Sequence, residues 1–73
     1  MKRYINGESG ILAYECGSDF IRIQFTDGSI YLYTYESAGV FCVEKMKKLA
    51  QRGKGLNTFI NRMVRGNYSE RLS

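Results

Sequence analysis

Phe20-Ile21-Arg22-Ile23-Gln24-Phe25-Thr26-Asp27-Gly28-Ser29-Ile30-Tyr31-Leu32-Tyr33-Thr34-Tyr35 is the stretch on which the fold of this chain turns. Apolar and polar residues alternate through residues 20–26 and again through 29–35. β-Branched and aromatic side chains dominate both runs, as expected of two half-buried strands. Between them sits Asp27-Gly28, a pair favoured in the two-residue type I′ turn, whose central positions both need positive φ. Counting outward from such a turn, Thr26 faces Ser29, Phe25 faces Ile30, Ile23 faces Leu32 and Ile21 faces Thr34. That register predicts one aliphatic face of Ile21, Ile23, Phe25, Ile30 and Leu32. The other face carries Phe20, Arg22 and Gln24 across from Tyr35, Tyr33 and Tyr31. The aliphatic face reads as core. Stacking the tyrosines inward instead, with Ile21 and Ile23 outside, would leave an apolar surface or imply a dimer.

Working toward the N-terminus, Ile11-Leu12-Ala13-Tyr14-Glu15 is a short apolar run, joined by the looser turn Cys16-Gly17-Ser18-Asp19. The three runs predict an antiparallel meander. Toward the C-terminus the period changes. Cys42, Val43, Met46, Leu49 and Ala50 recur at helical spacing, with Glu44, Lys45, Lys47, Lys48, Gln51 and Arg52 on the remaining faces. Ser37 is the expected N-cap for a start near Ala38, although Gly39 weakens the first turn. Gly53-Lys54-Gly55 breaks that helix. Leu56, Phe59, Ile60, Met63 and Val64 then follow at i, i+3, i+4, i+7 and i+8, and Gly66 ends the second helix. Residues 68–73 form a tail that Tyr68 and Leu72 would anchor. The expected architecture is α+β: a three-stranded antiparallel meander followed by two helices packed on one face of the sheet, all in one domain spanning 1–73.

Size and composition bound the function. A chain of 73 residues buries only about 60% of the surface exposed when unfolded, and at 44% hydrophobic content with six tyrosines and four phenylalanines this one should fold. No apolar run approaches the roughly 20 residues of a membrane span, and Met1-Lys2-Arg3-Tyr4 is followed by no signal-peptide core. The expectation is a cytoplasmic protein with no membrane partner. Histidine, proline and tryptophan are absent, which removes the usual neutral-pH base and most zinc and haem ligand sets. Cys16 and Cys42 lie outside any Cys-x-x-Cys spacing and read as reduced thiols in a reducing compartment. With no histidine beside either thiol and the carboxylates scattered, the expectation is a non-catalytic protein without metal or cofactor.

The net charge of +4 conceals a division. Residues 1–43 carry three basic against five acidic side chains, a net −2. Residues 44–73 carry eight basic ones against Glu44 and Glu70, a net +6. A basic half suits a polyanionic partner, since clustered Lys and Arg release counterions on meeting phosphate. It also suits a solvated helix surface.

Three groups of residues are candidates for contact. Tyr31, Tyr33 and Tyr35 at spacing two, beside Arg22 and Gln24, match the stacking surfaces of single-strand binders, or else cross-strand tyrosines that stiffen a sheet. Lys54 between two glycines ahead of a helix suits a phosphate, or a flexible turn; the spacing is not that of a P-loop. Asn57, Asn61 and Arg65 stand at i, i+4 and i+8, with Thr58 and Arg62 beside them, on the face away from Leu56, Phe59, Ile60 and Met63. Amides and guanidiniums in one stripe can read phosphate or base edges.

Asp27-Gly28-Ser29-Ile30-Tyr31-Leu32-Tyr33, then a basic helix, Gly53-Lys54-Gly55, Asn61-Arg62-Met63-Val64-Arg65 and Tyr68 together resemble the KTSC domain. That module is named for its place at the C-terminus of some lysyl-tRNA synthetases and also occurs as stand-alone small bacterial or phage proteins. The likeness runs over residues 11–72, with Tyr31 and Tyr33 matching the family's central Tyr-x-Tyr. Glu36-Ser37-Ala38-Gly39 stands where members often carry a proline, and the family's asparagine corresponds to Asn57 or to Asn61. The resemblance implies an RNA-binding accessory role and transfers no active site. The expectation is therefore a small non-catalytic module contacting RNA or single-stranded DNA through Arg22, Tyr31, Tyr33, Tyr35, Lys54, Asn57, Asn61, Arg62 and Arg65. The alternative is a protein-interaction or self-associating module that buries the same tyrosine face.

Overall fold

The computed structural model describes residues 1–4, 10–64 and 66–72, the side chain of residue 64 excepted. Its centre is the expected meander of β2 (Ile11–Cys16), β3 (Phe20–Phe25) and β4 (Ile30–Thr34). Two short strands widen it. β1 (Lys2–Arg3) pairs with β2, and β5 (Glu70–Arg71), returning after the helices, pairs with β4, so five antiparallel strands lie in the order β1-β2-β3-β4-β5. The sequence pattern predicts neither edge strand. Two-residue strands carry no periodicity of their own, and it is pairing to a neighbour that makes them; their brevity also blunts the sheet edges.

The β3–β4 hairpin differs from the expected register by one residue. Gly28 N–H donates to Phe25 O at 2.9 Å and Phe25 N–H to Ser29 O at 2.8 Å. The loop is thus the three residues Thr26, Asp27 and Gly28, a turn closed by Gly28 at φ +92°. The Asp27 carboxylate holds it by accepting from Ser29 N–H at 2.9 Å and from Ser29 Oγ at 2.6 Å. Ile21 now faces Tyr33 and Ile23 faces Tyr31. Because side chains alternate with a period of two, the slip transfers Tyr31 and Tyr33 to the face of Ile21 and Ile23, and sends Ile30 and Leu32 to the other. The expected aliphatic face therefore does not form. Neither expected arrangement describes the result: isoleucines and tyrosines share the buried face.

The helices cover that shared face. α1 (Tyr35–Ala38) is a single turn whose N-cap is Thr34 rather than Ser37. Thr34 Oγ1 accepts from Ser37 N–H at 3.1 Å and Ser37 Oγ accepts from Thr34 N–H at 3.0 Å, a reciprocal box that satisfies two donors. Gly39 ends α1, and α2 (Val40–Arg52) runs on to Gly53. α2 buries Val43, Met46, Leu49 and Ala50, the stripe its sequence period predicts. α3 (Leu56–Phe59) passes directly into a π-helical turn, Ile60–Val64. Leu56 and Ile60 are buried as expected, but the wider i→i+5 turn shifts the register and Met63 is exposed. The core joins Tyr4, Ile11, Tyr14, Ile21, Ile23 and Tyr33 of the sheet to these helical residues. Each fully buried aliphatic contributes about 1.5–3 kcal/mol over leaving it in water.

The tail is anchored as expected by Tyr68, whose ring packs on the sheet tyrosines. Leu72 holds it through its backbone, donating N–H to Ile30 O at 2.7 Å while its side chain stays exposed. No helix among the described residues is long and apolar enough to cross a membrane.

Candidate nucleic-acid interface

The register separates the residues that were to form the aromatic sheet surface. Arg22 lies on the open face of the sheet, where Nη1 pairs with Glu15 Oε1 across strands at 2.6 Å and the guanidinium sits 5.2 Å from the Phe20 ring. Tyr31 and Tyr33 point the opposite way, under the helices. Tyr33 is 2% exposed, and burial pushes its phenol up to about 12. Tyr31 is half-buried, with the Phe25 ring edge-on at 5.6 Å and the Tyr68 ring at 4.6 Å. Tyr35 has left the strand for α1, and its hydroxyl donates to Glu44 Oε2 at 2.6 Å. No single surface displays Arg22 with the three tyrosines.

The Gly53-Lys54-Gly55 turn is likewise committed to the fold. Gly53 N–H donates to Leu49 O and Ala50 O at 2.9 and 3.2 Å, and Lys54 N–H to Leu49 O at 3.4 Å. Leu56 N–H donates to the Tyr4 hydroxyl at 3.3 Å. These amides close α2 and tie α3 to Tyr4, so Gly53, Lys54 and Leu56 N–H are taken up by the fold rather than open to a phosphate. What it offers is the exposed Lys54 side chain.

A different surface gathers charge and an aromatic ring. Phe41, Lys45, Lys48 and Arg52 stand at i, i+4, i+7 and i+11 of α2, within an arc of about 60° on a 3.6-residue helix and opposite the buried stripe. All four are exposed, Phe41 at 72% and its neighbour Val40 at 55%. Val40, Phe41, Glu44, Lys45 and Lys48 line a shallow groove of about 240 Å³. Lys47, one step round the helix, is held back: its Nζ bonds to Glu44 Oε2 at 2.8 Å and Ser18 O at 3.1 Å. Those bonds from Lys47 and Tyr35 hold the Glu44 carboxyl below the usual carboxylate range. Among the described residues Lys45, Lys48, Arg52, Lys54 and Arg62 enter no ion pair. The charge division of the sequence points to the α2 cations and gives no place to Phe41. Its position on the wheel, with the lysines and away from Val43 and Met46, was the available signal.

Three of the nominated residues do meet. Tyr31, Asn57 and Asn61, with Phe25 and Asp27, line an open cleft of about 460 Å³ between the hairpin tip and α3. Asn61 Nδ2 donates to Asn57 Oδ1 at a long 3.4 Å. Arg62 is exposed beside them in sequence, and Arg65 lies outside the described residues.

Among the described residues no three His, Cys, Asp or Glu side chains converge as metal ligands would. No family model, no curated protein and no solved structure matches the chain.

Proposed function

We propose that this chain is a small, non-catalytic cytoplasmic module of KTSC type that binds single-stranded RNA or DNA, with the outward face of α2 as its principal contact. The observation that carries the reading is Phe41, 72% exposed in a stripe with Lys45, Lys48 and Arg52. A phenylalanine on the outer face of a helix contributes nothing to the core. Ringed by cations it can stack a base while the lysines and arginine meet phosphates, the division of labour that single-strand binders use. From Phe41 to Arg52 the stripe runs about 16 Å along the helix, and Lys54 and Arg62 extend the basic surface beyond it. The net +6 of the C-terminal half supports the same partner, as does the resemblance carried by Asp27-Gly28-Ser29-Ile30-Tyr31-Leu32-Tyr33.

The test is a titration of a fluorescent single-stranded RNA, and of its DNA counterpart, at two salt concentrations. Contact with three or four phosphates weakens affinity roughly 20- to 50-fold between about 50 and 200 mM salt. The triple substitution Lys45→Ala, Lys48→Ala, Arg52→Ala should remove most of that dependence. Affinity unchanged by the triple substitution would end the proposal.

The exposed Val40–Phe41 pair favours a second reading, in which a protein partner or second copy covers the same groove. That reading expects association that is insensitive to salt and lost on Phe41→Ala.

A further inference from the structure

The cleft between the hairpin tip and α3 brings together two side-chain amides, a carboxylate and two aromatic rings, and the fold uses little of their bonding capacity. Asn57 Oδ1 accepts from Asn61 Nδ2. Among the described residues Asn57 Nδ2 and Asn61 Oδ1 have no hydrogen-bond partner, which leaves one amide donor group and one amide acceptor unused. Asp27 accepts from Ser29 through Oδ1 alone, and an ionised carboxylate has about four acceptor positions. Those bonds also hold the Asp27 carboxyl below the usual carboxylate range, so at neutral pH it is an acceptor only. Phe25 and Tyr31 meet edge to face at 5.6 Å and supply the flat apolar wall.

A donor and an acceptor from amides, a second acceptor with negative charge, and an aromatic wall complement a flat heterocycle that presents an amine beside a ring nitrogen. Adenine and cytosine present that pair on their pairing edge with the ring nitrogen unprotonated, as an amide donor requires, whereas guanine sets its amine beside N1–H. Uracil carries no amine: its edge sets a single N3–H between two carbonyl oxygens, which Asp27 would repel. Lys54 and Arg62, both exposed, stand three residues before Asn57 and one after Asn61 in the chain.

We infer that this cleft receives one base of the bound strand and selects adenine or cytosine over uracil through Asn57, Asn61 and Asp27. The inference rests on the single-strand reading above, and it assigns that reading its base preference.

Two measurements on the full chain test it. In the first, affinities for fluorescent oligo-A, oligo-C and oligo-U of equal length are compared for the unaltered protein and for Asn61→Ala, a substitution at an exposed position. Oligo-A and oligo-C should bind at least about tenfold more tightly than oligo-U, and the preference should collapse in the variant. In the second, the side-chain amide resonances of Asn57 and Asn61 are followed by NMR during addition of AMP, CMP or UMP. AMP and CMP should move them and UMP should not. Equal affinity for all three strands with no amide shift would overturn the cleft assignment and leave strand binding by α2 standing. Amide shifts with AMP in a protein that binds none of the strands would support the cleft and overturn the proposed function.

Discussion

The ring of Tyr68 packs against that of Tyr31 with centroids 4.6 Å apart, and stands edge-on to Tyr33 at 6.4 Å. These contacts join the tail to the core side of the sheet. Behind them Ser69 N–H donates to Leu32 O at 2.6 Å and Leu72 N–H to Ile30 O at 2.7 Å, so ring contact and strand pairing support one another.

Tyr68→Ala removes both ring contacts. An aromatic pair contributes about 0.5–1.5 kcal/mol beyond its buried area, and a loss of about 1 kcal/mol in urea denaturation is expected. Amide exchange at Ser69 and Leu72 should accelerate far more than at Ile21 or Ile23, since the tail opens locally while the meander holds. Uniform acceleration would mean that the tail is no separate unit.

Gly28 occupies φ +92° with nothing within 4 Å of where a Cβ would stand. The cost of Gly28→Ala is therefore backbone strain alone, about 1–2 kcal/mol. D-Alanine at the same position, introduced by chemical synthesis, relieves that strain and should restore or exceed the stability of the glycine protein. Equal destabilisation by both enantiomers would show the hairpin loop to be something other than a three-residue turn with a left-handed closing residue.

Burial pushes the Tyr33 phenol from 10.0 to about 12. The folded state therefore prefers the neutral form, and this contribution to stability is complete below pH 10. It is lost as pH rises from there through about 12, by up to roughly 2–3 kcal/mol. Ultraviolet absorbance titration should show a tyrosine component ionising near pH 12 that is missing from Tyr33→Phe. The alkaline fall in the urea midpoint should be shallower in Tyr33→Phe, which has no phenol to ionise.

Phe41→Ala separates binding from folding. At 72% exposure the ring adds little to the core, and thermal stability should change by no more than about 0.5 kcal/mol. Affinity for a single strand should fall by about 1–3 kcal/mol, the contribution of one stacked base. Loss of stability with intact affinity would remove Phe41 from the interface.

Local chemistry along the chain determines a good deal here. The alternation of residues 20–25 and 30–34 gives strands. The helical recurrence of Val43, Met46, Leu49 and Ala50 gives a helix and names its buried side, and Gly53 gives its end. The division of charge is equally plain. Each of these depends on neighbours within a turn or two, which the sequence displays directly.

Register does not. Asp27-Gly28 is compatible with a two-residue turn and with a three-residue loop, because both place a glycine at positive φ, and the two differ by a single step along the strand. That step decides whether Ile30 and Leu32 or Tyr31 and Tyr33 join Ile21 and Ile23 beneath the helices. The fold takes the tyrosines, whose bulk fills the space against α2 and receives Tyr68 from a segment more than thirty residues away. The same long-range packing places Asn57 and Asn61 opposite Asp27 and leaves Phe41 outside with the lysines. Such placements follow from how sheet and helices share one core, so only the tertiary structure could decide which aromatic rings became core and which became surface.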